Sequence, residues 1–102
     1  MTGSGYVGML TFELHFPQEH SLKGKRRHLL SLKADLAQTC GASVAEVAHH
    51  DTWQLTRLTV AIVDRTRAEL DHRLDRCVQR VEGRGYDPLG LVRLIVTPED
   101  LQ

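Results

Sequence analysis

The sequence lacks most of the features that place a short chain in a specialised class. Its 102 residues include only two cysteines, Cys40 and Cys77, which form neither a CxxC pair nor a disulfide framework. Each falls in a predicted helix among apolar neighbours and reads as a packed thiol in a reducing compartment. Aromatic residues are 5% of the chain, with Trp53 the only tryptophan. Charge of one sign is not in excess. Thirteen Lys and Arg face thirteen Asp and Glu, which excludes a polycation of the histone kind and leaves any nucleic-acid contact to a local patch. No apolar run approaches the ~18 residues that cross a bilayer. Met1 to Gly5 show no basic and apolar leader, so a cytoplasmic setting with no membrane partner is expected. Walker loops, GxGxxG and Ser-His-Asp spacings are absent. No catalytic residue and no cofactor is therefore assigned.

What is present is the composition of a globular chain: 41% hydrophobic and 25% charged residues. At this length one core is feasible, and a single domain with its core at about 6–97 and short flexible tails is expected. From Tyr6 to Phe16 the chain alternates, with Leu10, Phe12, Leu14 and Phe16 against Thr11, Glu13 and His15; this is a half-buried strand. Ser21 caps a helix that runs to Cys40 and stops at Gly41. Leu22, Arg26, Leu29, Lys33, Leu36 and Cys40 lie at helical spacing, with Leu30, Leu32 and Ala37 widening the apolar side. Arg26 and Lys33 are expected to lay their stems on the core. Ser43–His50 and Thr56–Val63 are the next strands. Thr66-Arg67-Ala68-Glu69 is a capping box opening a helix striped by Leu70, Leu74, Cys77, Val78 and Val81. Leu91–Val96 is the last strand.

The order β-α-β-β-α-β predicts a ferredoxin-like α+β sandwich. Right-handed crossovers put both helices on one face of a four-stranded antiparallel sheet of order 4-1-3-2. In that topology the polar residues collect at one end. Lys23, Lys25, Arg26 and Arg27 open the first helix, where cations oppose the helix dipole. Together with Ser21 they are the candidate anion or RNA contacts. Glu13, His15, Glu46, His50 and Arg57 are expected as a polar cluster on the open sheet face, with Arg57 between the two carboxylates as a cross-strand ion network. His49 and His50 are adjacent on a strand and point apart, so they do not chelate one ion. The open-face set His15, Glu46 and His50 is the one that could converge, and no metal site is assigned. Trp53 is expected either as a lid on the core or as a partner anchor. The sheet face offers Thr11, Glu13, Thr59 and Ala61 where an RNA-recognition motif needs stacking aromatics, so RNA contact would run through phosphates.

The string Ser21-Leu22-Lys23-Gly24-Lys25-Arg26 resembles the Ser-Leu-Lys-x-Lys-Arg signature of the YlxP-like family of small bacterial domains. Val44-Ala45-Glu46-Val47, Asp51-x-Trp53-Gln54, Tyr6-Val7-Gly8 and Leu74-Asp75-Arg76 are similar to other segments of that family. The resemblance covers roughly Tyr6 to Val96 and implies a ferredoxin-like fold of uncharacterised function. Its genes lie beside those of transcription and ribosome factors, which implies ribosomal RNA or ribosome-associated proteins as partners. His49-His50 and Gly85-Tyr86-Asp87-Pro88 depart from the family pattern and leave room for a specialised paralogue. The reading is a non-enzymatic binding module. Its alternatives are a dimeric enzyme or ligand carrier with a pocket of His15, Glu46, His50 and Arg57 between two open sheet faces, and an adaptor pairing through an edge strand or the Trp53 loop.

Overall fold

Strand β1 (Tyr6–His15) carries the expected alternation: Leu10, Phe12 and Leu14 are buried on one side while Thr11 and Glu13 look out from the other. The computed structural model, which describes residues 3–101, continues with α1 (Leu22–Cys40), β2 (Ser43–Ala48), β3 (Leu55–Asp64), α2 (Arg67–Gly83), β4 (Leu89–Val96) and a 3-10 turn over Pro98–Leu101. Of the tails expected at the two ends, residues 1–2 and 102 lie outside the described residues. The sheet is antiparallel with order β2-β3-β1-β4, the expected order read from the other edge. It is a small α+β fold of ferredoxin-like topology.

Each helix contributes one stripe to the core. On α2 it is Leu70, Leu74, Cys77 and Val81. These sit over Gly8, where a Cβ would come within 2.7 Å of a Leu74 methyl, so the missing side chain lets α2 lie close on β1. On α1 the stripe is Lys25, Leu29, Leu32, Leu36 and Cys40.

Two expectations are corrected here. The charged residue turned to the core is Lys25, 1% exposed, whereas Arg26 is exposed and Leu30 is 67% exposed. Positions 25, 29, 32 and 36 are four, three and four apart and hold one helix face, while 26 and 30 lie off it. Glu46 also changes side. Val44, Glu46 and Ala48 are the half-buried residues of β2, and Ala45 and Val47 are exposed. Glu46 therefore faces the helices. The buried ammonium of Lys25 needs a counter-charge there.

Candidate functional site

The start of α1, the end of β1 and the 49–54 loop meet at one end of the sheet, and Lys25 ties them together. Its Nζ donates to the carbonyl oxygens of His49 (2.8 Å), Thr52 (2.6 Å) and Leu55 (3.1 Å), and lies 3.0 Å from the Glu46 carboxylate. Three protons and four oxygens make this an ammonium-filled cage. The loop is wound around it. The hydroxyl of Thr56, itself buried, donates to the same Glu46 oxygen at 2.5 Å. Burial pushes the Glu46 carboxyl up, but the bonds from Thr56 and Lys25 outweigh it and hold the group below its ordinary value.

The expected open-face cluster divides. Glu13 and Arg57 are register partners on β1 and β3, with Oε1 and Nη1 4.0 Å apart. The second Glu13 oxygen lies 2.8 Å from His49 Nε2, so His49 takes the place expected for His50. A bulge between Glu46 and Ala48 shifts the register of β2, whose last pair is Ala48 with Arg57. His49 then adopts a left-handed backbone, with φ of 67°. His50 instead bonds the Glu46 carbonyl oxygen through Nε2, at 3.1 Å. His15 stands away from both, at the end of β1. Among the described residues no group of three or more His, Cys, Asp and Glu is placed to hold a metal ion.

The basic run is also rearranged. Ser21 Oγ accepts from the Gly24 amide at 3.0 Å, so this hydroxyl is the N-cap and belongs to the helix. Lys25 is inside. Lys23, Arg26 and Arg27 remain on the surface, spaced three and four apart along one solvent-facing stripe that Leu30 and the half-buried Lys33 extend. None of these four cations has an acidic partner among the described residues. Elsewhere, Arg57, Arg73, Arg80, Arg84 and Arg93 are each paired with a carboxylate. Trp53 is 47% exposed, on the loop that Lys25 fastens to α1. It is not a lid folded into the core.

The sequence reading overlooked Glu19. Its Oε1 accepts from the His20 amide at 3.1 Å, and its Oε2 is 3.2 Å from His28 Nε2. A Cβ at residue 24 would overlap this carboxylate, so Gly24 makes room for a negative charge at the positive end of α1. Glu19 precedes the N-cap by two residues, outside the first turn where such charges are sought. Glu19 and His28 line a cleft of about 300 Å³ with His15, Phe16 and Tyr86. Phe16 stacks on His28 with centroids 5.8 Å apart and meets Tyr86 edge-on at 5.4 Å. Burial pushes the Tyr86 hydroxyl up.

A smaller hollow of about 210 Å³ lies on the open sheet face, lined by Met9, Leu10, Thr11, Thr59, Val92 and Leu94. It holds no titratable group, unlike the pocket expected from His15, Glu46, His50 and Arg57. Cys40 and Cys77 are free and buried, and burial pushes the Cys77 thiol up to about 12. No helix among the described residues is long and apolar enough to cross a membrane.

A family model described as "Protein of unknown function (DUF503)" matches residues 7–89. No curated protein matches the chain. Among solved structures, the chain is similar to a VAO-type flavoprotein from Myceliophthora thermophila C1, at 16% identity and a TM-score of 0.51, over 91% of this chain and 16% of that one. It is also similar to a hydantoinase/carbamoylase family amidase from Burkholderia ambifaria (12% identity, TM-score 0.47, 95% of this chain and 28% of that one). A protein of unknown function from Rhodopseudomonas palustris matches at 13% identity and a TM-score of 0.40, over 93% of this chain and 83% of that one. The chain thus spans under a third of the first two proteins, and at these identities the likeness to the flavoprotein concerns the fold alone.

Proposed function

We propose, for a chain that belongs to the DUF503 family, that it is a binding module whose α1 engages the phosphates of single-stranded RNA through Lys23, Arg26 and Arg27, with Lys33 extending the stripe. The observation that carries this reading is the lack of acidic partners on that stripe among the described residues, in a molecule that neutralises most of its other arginines. Guanidinium groups suit phosphate because their fork donates two hydrogen bonds to two oxygens. The exposed Trp53, on the loop that Lys25 fastens to α1, favours RNA over an acidic protein, since an exposed aromatic ring offers a base a stacking surface. The resemblance of Ser21–Arg26 to the YlxP-like signature points to the same class of partner and, within it, to ribosomal RNA.

The test is fluorescence anisotropy with a labelled single-stranded RNA at low salt. Changing Lys23, Arg26 and Arg27 together to Ala is expected to weaken binding by about tenfold or more. Changing Arg65, Arg67 and Arg76, which also lack acidic partners among the described residues but lie outside α1, is expected to change it little. Equal losses in the two variants would reduce the reading to non-specific charge, and an unaffected α1 variant would overturn it.

A further inference from the structure

We infer that the uncovered face of the sheet docks a second copy of this chain, giving a face-to-face dimer. Both helices lie on the other face, and no described residue covers this one. It carries Val63, Val92 and Leu94, which are 65%, 55% and 49% exposed. The register makes them contiguous: Met9 of β1 lies between Ala61 of β3 and Leu94 of β4, and Val7 lies between Val63 and Val96. An apolar band therefore crosses three adjacent strands. Exposed apolar patches of this continuity mark interaction surfaces.

Three observations select a second copy as the occupant. The first is area. With strands of ten, six, ten and eight residues, the face measures roughly 550 Å² before side-chain relief is counted. That approaches the ~800 Å² per partner of a stable interface. The second is charge. The polar end of the same face holds Glu13 and Arg57, opposite in sign and 4.0 Å apart. With a two-fold axis running along the strands, like ends meet, so Glu13 of one copy faces Arg57 of the other while the apolar bands cover each other. Equal numbers of acidic and basic residues leave no net repulsion between copies. The third is shape. The hollow between Met9, Thr59, Val92 and Leu94 is a socket into which an apolar side chain of the facing sheet fits, in the manner of packed sheets.

Sedimentation equilibrium of the full chain from about 1 to 100 μM tests this. The expected result is a mass rising from 11.5 kDa to twice that value. The double change Val63→Asp and Leu94→Asp is expected to hold the chain at the monomer mass with an unchanged circular dichroism spectrum, since both side chains are outside the core. Leu30→Asp, on α1, is expected to leave the dimer intact. A wild-type chain that stays monomeric throughout would overturn the proposal whatever the variants do. So would a dimer that survives the double change, or one that Leu30→Asp dissociates.

Discussion

Lys25 shows how one residue can set the geometry of a whole end of the molecule. The spacing counted from Leu22 puts Arg26 on the core stripe, whereas it is Lys25 that shares a helix face with Leu29, Leu32, Leu36 and Cys40. Its destination is not readable. The carbonyl oxygens that receive it belong to the backbone 24 to 30 residues further on, and no side-chain pattern announces a backbone cage. A residue-by-residue reading places cations outside, which is why Lys25 was expected at the surface with Arg26 and Arg27. Replacing it by Met keeps much of the stem but removes the donor to the His49, Thr52 and Leu55 carbonyl oxygens and leaves the Glu46 carboxylate without its counter-charge. Breaking a buried pair in this way costs about 3–5 kcal/mol. Urea unfolding of Lys25→Met should show that loss. A variant as stable as the wild type would mean that the loop does not depend on the ammonium.

At the scale of the element, α1 is held at both ends by charges from outside it. Glu19 lies at its N-terminus. At its C-terminus Arg73 of α2 donates to the Cys40 carbonyl oxygen at 3.1 and 2.9 Å, to that of Gly41 at 3.4 Å, and to Val63 across the gap, while pairing with Asp64 at 2.9 Å. That guanidinium holds the Asp64 carboxyl below its ordinary value. Arg73→Ala should destabilise the fold by about 2 kcal/mol, the usual worth of hydrogen bonds to a charged group, and thermal melting of the variant measures it. An unchanged melting temperature would show that Gly41 ends the helix unaided. The elements themselves were legible. The alternation of β1, the α2 stripe, the Ser21 cap and the Thr66 to Glu69 box reappear, the last as Thr66 Oγ1 accepting from the Glu69 amide at 3.2 Å, whereas the core stripe of α1 runs through Lys25 and not Arg26. The face of β2 was not legible. Ala45 and Val47 look more apolar than Glu46, and only the demand of Lys25 for a counter-charge turns the carboxylate inward.

At the scale of the whole molecule, element order and the handedness of crossovers were enough to obtain the sheet order. They also brought the end of β1, the start of α1 and the β2–β3 loop together, since strand direction alone decides which loops share an end. Which side chains meet there depended on a bulge, a left-handed residue and a buried lysine, none of which has a local signature. The same topology leaves two unlike surfaces: an apolar sheet face, and an α1 stripe whose cations have no acidic partner among the described residues. The second is the surface proposed to meet RNA. Its most direct test is the salt dependence of RNA binding. For three to four phosphate contacts on a single strand, log K against log salt should fall with a slope of about −2 to −3, and removing Lys23, Arg26 and Arg27 together should leave a slope of about −1 or shallower. No detectable binding at low salt, or a slope that the triple change leaves intact, would contradict it.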